Sequence, residues 1–221
     1  MPPTDARTRA VIFDLDGVLV DSEGLHVEAW RKVFAGRGAT VSDEEYAHGV
    51  GMADADWLEW LSRRRVPSLD VRECLDEKRR VFAGILKANV RPFPGVVELV
   101  ARLHPECRLG VASNSPRQSI ETVLAELGLR PHFDAVAGAE DVKHHKPHPE
   151  IYLRVAAGLG VEPGRCTVIE DSALGIQAAK AAGMRCIGIT NSLPAERLAA
   201  ADLTVASLTD ADPVERFVRA G

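Results

Sequence analysis

Asp14-Leu15-Asp16-Gly17 sets two carboxylates two residues apart on a turn that Gly17 opens. One such carboxylate can attack an electrophile while the other, if its neighbour raises its pKa, shuttles a proton. Two aspartates on a turn can equally do no more than cap it. A second segment, Gly110-Val111-Ala112-Ser113-Asn114-Ser115, delivers hydroxyl and amide groups just ahead of a helix N-terminus. Backbone N–H groups and the helix dipole favour an anion there. Ser115 has the position of the helix cap, which leaves Ser113 free to point at a ligand. Third, Lys146-Pro147-His148-Pro149 holds an ammonium in a stiff loop, where it could neutralise a phosphate or a carboxylate nucleophile. A solvated surface lysine is the plainer reading of that residue alone. Fourth, Glu170-Asp171-Ser172 places adjacent carboxylates at a strand end. Such a pair needs positive charge nearby, and magnesium, a hard cation that prefers oxygen ligands, fits with Asp14 as partner. Acidic groups, one lysine and an anion site together are the means of phosphoryl transfer.

These groups need elements that carry them to one place. Ala10–Phe13 is a short apolar run that reads as a buried strand ending at Asp14. Leu109–Ala112, Ala135–Ala137, Thr167–Ile169, Cys186–Ile189 and Leu203–Val205 are further strand candidates. Helices are expected at Val96–Leu103, Ser115–Leu127, Glu150–Ala157 and Ala173–Ala182. In the second of these, Ser115 stands at N-cap, Pro116 at the first helical position and Gln118 closes a capping box. Strands alternating with helices imply an α/β fold, a doubly wound parallel sheet whose sites lie at the strands' carboxyl ends. Between about Asp21 and Asn89 the pattern is helical throughout, with Trp30, Val33 and Phe34 at helical spacing and Ser42-x-x-Glu45 in capping-box form. The expected organisation is therefore a core of residues 1–20 and 92–221, interrupted by a helical insertion over 21–91.

The 221 residues, 46% apolar and 27% charged, are those of an ordinary globular chain able to bury a core without staples. A net charge of -5 argues against a surface spread with nucleic-acid contacts. The run Arg63-Arg64-Arg65 reads as a solvated helix end. No apolar stretch reaches the length of a membrane span, and the N-terminal MPPTDARTR lacks the apolar centre of a signal peptide. Cys74, Cys107, Cys166 and Cys186 are scattered, which suits buried reduced thiols in a cytoplasmic protein. His144, His145 and His148 lack a cysteine or carboxylate at zinc-finger spacing, so a structural zinc site is not expected.

The four segments, in this order, resemble the motifs of the haloacid dehalogenase superfamily. Asp14-Leu15-Asp16-Gly17-Val18 is similar to the DxDG[VT] signature, Ser113 to the second motif's hydroxyl, Lys146 to the third motif's lysine and Glu170-Asp171 to the fourth motif's acids. The resemblance implies a Rossmann-like core with a small helical cap, as in the β-phosphoglucomutase-like subgroup. It implies Asp14 as nucleophile, Asp16 as general acid/base, and Ser113, Asn114, Lys146 and His26 at the substrate. It implies Mg2+ held by Asp14, Asp16 (through its backbone carbonyl), Glu170 and Asp171. The implied partner is a small phosphomonoester, with a sugar phosphate the expected substrate and a monomer the expected assembly. Asp16 favours phosphatase or mutase chemistry over dehalogenation. Two positions depart from the subgroup. Met52 stands where the mutase's cap arginine grips a second phosphate, which favours phosphatase over hexose-phosphate mutase. His145 replaces a usually small residue before Lys146. Lys78 could stand in for the missing arginine, although a surface lysine is the plainer expectation.

Overall fold

A computed structural model of the chain describes residues 7–64 and 70–221. The readings made for Arg65 and for the first six residues lie outside these. Six parallel strands, β1 (Ala10–Phe13), β2 (Arg108–Ala112), β3 (Ala135–Ala137), β4 (Cys166–Glu170), β5 (Arg185–Ile189) and β6 (Leu203–Val205), form one sheet in the order β3-β2-β1-β4-β5-β6. β1 is central, with Phe13 level with Val111 of β2 and with Ile169 of β4. Asp14, Ala112 and Glu170 thus reach the same carboxyl edge of the sheet, where ligands of open α/β sheets bind.

Both sheet faces are covered, which is why these strands read as continuous apolar runs. Val11 and Phe13 point into a core shared with helices α5 (Val96–Leu103), α6 (Arg117–Glu126) and α9 (Ala211–Arg219). Ala10 and Ile12 point the opposite way, against α7 (Glu150–Leu159) and α8 (Ala173–Ala181). Each large apolar side chain buried this way contributes about 1.5–3 kcal/mol relative to exposure.

Among the described residues, four helices, α1 (Glu23–Ala35), α2 (Asp43–His48), α3 (Asp54–Arg64) and α4 (Val71–Asn89), lie between β1 and α5. They enclose a separate aromatic cluster in which Trp30, Phe34, Tyr46 and Trp57 are buried. The Trp57 indole donates to the Glu45 carbonyl at 2.8 Å. The opposite side of this bundle, Ala29, Phe82, Ile85 and Leu86, packs into the core under the sheet. The chain enters and leaves the bundle through one paired ribbon: Val20 bridges Pro92 antiparallel, and the Asp21 amide donates to the Arg91 carbonyl at 3.1 Å.

Local signals hold except at the start of α6, where Ser115, Pro116 and Gln118 do not take their expected places and no capping box forms. The Ser42–Glu45 capping box is formed at α2. Ser115, expected as the cap of α6, is not one. The helix begins at Arg117 with Pro116 at the cap position, and its first amide is taken by Glu140 at 3.0 Å. With a carboxylate arriving from across the fold to satisfy that donor, the Ser115 hydroxyl is released. The four cysteines are buried and reduced. Arg63 and Arg64 close α3 as exposed residues. Among the described residues, no helix is long and apolar enough to cross a membrane.

Candidate active site

Asp14 leaves β1 with its amide bonded to the Ile169 carbonyl at 3.0 Å, so its position is fixed by the sheet itself. Its carboxylate meets the Lys146 ammonium at 2.6 Å. Lys146 spends its other two protons on Glu170 at 2.7 Å and the Ala112 carbonyl at 3.0 Å. It is 4% exposed, and the surface-lysine reading falls. Gly17 makes the turn possible. Its φ is +78°, and a Cβ there would lie 1.8 Å from the Asp171 carboxylate.

Asp16 faces away from this cluster. Its carboxylate accepts from Ser115 at 2.6 Å, Ser113 at 3.3 Å, the Ser22 hydroxyl and His26 at 3.1 Å. Lysine offers only donors, so the Lys78 ammonium, 2.8 Å from His26 Nδ1, leaves the imidazole proton on Nε2, facing Asp16. Burial alone would raise the Asp16 carboxyl; His26 and the hydroxyls hold it well below the usual carboxylate range instead. Burial pushes Asp14 the other way, to about 8, with Lys146 opposing and Glu170 and Asp16 reinforcing. A raised proton-shuttling carboxyl beside an ordinary one is thus not what the structure holds: the raised member of the pair is Asp14.

Ser115 leaves its expected task, while Ser113 lies on the cavity wall. The Ser113 hydroxyl accepts from the Ser115 amide at 3.0 Å and so closes the turn, while Ser115 makes the shorter bond to Asp16. Asn114 ties two loops together. It donates to the Gly51 carbonyl at 3.0 Å and accepts from the Lys146 amide at 3.2 Å.

The acidic cluster fits a divalent cation. Asp14, Glu170 and Asp171 offer carboxylate oxygens within 4.8 Å of one another, all buried. Among the described residues, one ammonium, Lys146, bonds into it. Burial and the neighbouring carboxylates push Asp171 well above its ordinary value, as they do Asp14, so the group lacks positive charge. Glu170 is already satisfied. It accepts from Lys146, from the Tyr152 hydroxyl at 2.8 Å, and from the Asp171 and Ser172 amides and the Ser172 hydroxyl at 2.9–3.0 Å. Despite burial, Lys146 and these donors hold it below the usual range. Gly175 leaves room for it, since a Cβ there would lie 1.6 Å from Glu170 Oε1. Asp14 and Asp171 are thus the two carboxyls of the cluster whose ionised forms an added cation would favour most.

The helical insertion closes one side of a cavity of about 80 Å³ over these groups. Met52 and Gly51 line it, with Gly51 close enough that a Cβ would lie 2.8 Å from Ser172. Lys78, expected at the surface, is 1% exposed and bonded to Asp54 at 2.6 Å as well as to His26. His145 also gains an explanation: Nδ1 lies 2.9 Å from Asp56, linking the Lys146 loop to α3. His144 and His148 do meet a carboxylate, Glu150. That carboxylate accepts from the Lys143 and His144 amides, and His148 accepts from the Glu150 amide, as in a helix-start network.

A family model described as haloacid dehalogenase-like hydrolase matches residues 8–183. The chain belongs to this family. Among curated relatives, fructose-1-phosphate phosphatase YqaB of Escherichia coli is 36% identical over 183 residues, spanning 83% of this chain and 97% of the relative. Hexitol phosphatase B of Escherichia coli is 37% identical over 212 residues, spanning 94% and 96%. Among solved structures, β-phosphoglucomutase of Clostridium difficile superposes with a TM-score of 0.84 at 28% identity over 96% of this chain and 97% of that one. The doubly wound sheet is thus that of a haloacid dehalogenase-like enzyme with β-phosphoglucomutase-like relatives. Reading the sequence missed four residues that shape this haloacid dehalogenase-like site: Ser22, Tyr152, Asp54 and Ser115 in its bond to Asp16. Only Ser115 lay in a segment already marked, and Ser22 six residues past Asp16 carries no local signal.

Proposed function

We propose that the chain is a magnesium-dependent phosphatase that hydrolyses a small phosphomonoester, a sugar or polyol phosphate, through an aspartyl phosphate on Asp14. The observation that carries this reading is the opposite setting of two carboxylates on one turn. Asp14 is turned to Lys146 and the acidic cluster, and Asp16 to hydroxyls and His26. That division suits one carboxylate for attack and the other for proton transfer.

Asp14, Asp171 and the Asp16 backbone carbonyl would hold Mg2+ with Glu170 beside them, and the ion supplies charge neutralisation between nucleophile and phosphoryl oxygens. An Asp14 oxygen forms the new P–O bond as the ester P–O bond breaks, and the departing alkoxide takes a proton from Asp16. A bound phosphate adds negative charge beside Asp16 and raises its proton affinity, so this carboxyl can enter the step protonated. Water then attacks the phosphorus of the aspartyl phosphate, its proton passes to Asp16, and Asp14 is released with inorganic phosphate. Lys146 keeps Asp14 oriented, while Ser113 and Asn114 border the phosphate. The insertion acts as a cap that excludes water from the first step.

The relatives' names, a fructose-1-phosphate phosphatase and a hexitol phosphatase, support the substrate class. A hexose-phosphate mutase is the second reading, favoured by the likeness to β-phosphoglucomutase. The test is phosphate release from p-nitrophenyl phosphate with Mg2+. The native protein should turn it over, and Asp14→Asn should not; equal rates would overturn the reading. Isomerisation of a hexose monophosphate, dependent on a sugar bisphosphate primer, would instead establish the mutase.

A further inference from the structure

The wall of the cavity remote from Asp14 is built by the insertion, and its ionised groups are arranged in an unexpected order. Asp54 and Glu23 line the cavity. Lys78, which a sequence reader could assign to a substrate's second anionic group, sits behind them at 1% exposure. Its ammonium is committed to Asp54 Oδ2 at 2.6 Å and His26 Nδ1 at 2.8 Å, and lies 4.4 Å from the centre of the Phe82 ring. Asp54 is anchored from its other oxygen by the Trp30 indole at 3.2 Å. Among the described residues, nothing long and basic takes the place of Lys78 on this side of the cavity: the neighbouring loop offers Gly51 and Met52.

A tail with a second phosphate would meet two carboxylates here, at a separation from its cation set by the Asp54 side chain. Like charges brought close in a partly desolvated cavity repel by several kcal/mol even at an intermediate effective dielectric of about 20. A tail of hydroxyl groups finds the reverse. Carboxylate oxygens with free lone pairs accept from O–H groups, and Trp30, Tyr46 and Trp57, also in the wall, offer apolar ring surface to C–H groups.

We propose that Asp54 is a specificity residue: by sequestering Lys78 and, with Glu23, facing the cavity as an anion, it selects monophosphates with an uncharged hydroxylated tail and rejects bisphosphates. This inference rests on the phosphatase reading above and sharpens its substrate class. It also gives a reason, beyond Met52, for poor retention of the bisphosphorylated species that a mutase must hold.

Mannitol 1-phosphate and mannitol 1,6-bisphosphate make a matched pair of probes. The polyol is two-fold symmetric, so both phosphates of the second compound are equivalent and only the charge of the tail differs. Initial phosphate release, as kcat/KM, should favour the monophosphate by about tenfold or more in the native protein. Asp54→Asn and Glu23→Gln should each shrink that ratio several-fold, whereas Lys78→Gln should leave it as large or enlarge it. Opposite signs from two partners of one ion pair separate charge selection from a general loosening of the bundle, which moves both alike. Should Asp54→Asn fail to fold by circular dichroism, the native ratio and Glu23→Gln still decide. Equal use of both compounds by the native protein, or a ratio that neither carboxylate variant changes, overturns the inference while leaving the phosphatase reading intact. No release from either compound, nor from p-nitrophenyl phosphate, overturns both.

Discussion

The Ser115 hydroxyl donates to Asp16 Oδ2 at 2.6 Å, joining the turn after β1 to the loop after β2. Because Glu140 caps α6 in its place, this serine acts on the Asp16 carboxylate rather than on its own helix. Hydrogen bonds to charged groups are worth about 1.5–3 kcal/mol. Ser115→Ala should therefore lower kcat about tenfold while KM stays within about twofold. Losing a donor to a carboxylate raises its pKa, and since Asp16 acts protonated in the first step, the alkaline limb of the kcat profile should move to higher pH. A variant with native kcat and an unmoved limb would show that Ser115 has no part in holding Asp16.

Metal binding should release protons. Burial raises Asp14 from 3.8 to about 8, so near neutral pH the metal-free site keeps a proton that Mg2+ must displace. Titration calorimetry in buffers of different ionisation enthalpy should show this release, and Mg2+ affinity should weaken as pH falls below about 8. Stability carries the same sign. Between about 4 and 8 the folded metal-free protein binds a proton that the unfolded chain has lost, so its stability should decline as pH rises through that window. Added Mg2+ should flatten the decline. A Tm that is independent of both pH and Mg2+ would contradict the assignment.

Glu170→Gln should be costly to the fold as well as to the chemistry. The glutamate is fully buried and accepts from Lys146, Tyr152, two amides and a hydroxyl. An amide presents two donors among donors and strips Lys146 of one counter-charge. Breaking a buried ion pair in this way costs about 3–5 kcal/mol, which a urea denaturation midpoint will read. A loss under 1 kcal/mol would mean the network is far looser than its geometry.

His145 and Asp56 join the Lys146 loop to α3 at 2.9 Å, with Asp56 about half exposed. A pair this open contributes up to about 1 kcal/mol. His145→Ala should leave the Tm nearly unchanged but raise KM for a sugar phosphate by a few-fold, because the cavity wall is held less firmly. A large fall in Tm would place this contact among the fold's supports instead.

How much was legible in advance depended on how locally each feature is written. The strands and the segments at Asp14, Ser113, Lys146 and Glu170 were readable because each is contiguous, with an apolar run delivering a polar turn. The capping box at Ser42 was readable for the same reason, since both partners lie within one helical turn. Lys78 was not. Its burial requires α1, α3 and α4 to converge, and nothing near residue 78 announces Asp54 and His26 as neighbours. The release of Ser115 from the start of α6 was hidden likewise, because Glu140 reaches that point from another part of the chain. Nothing around Tyr152 in the sequence points to β4, and only that meeting gives its hydroxyl a purpose.

The ribbon at Val20 and Pro92 has a practical consequence. Residues paired directly across two antiparallel passages can be joined by a two-residue turn such as Asn-Gly. The whole stretch from Asp21 to Arg91 therefore departs from and returns to one point of the scaffold, like a cartridge in a socket. Exchanging it between relatives at these two junctions should transplant the far wall of the cavity, with its Asp54 and Glu23, while the sheet that carries Asp14 stays unaltered.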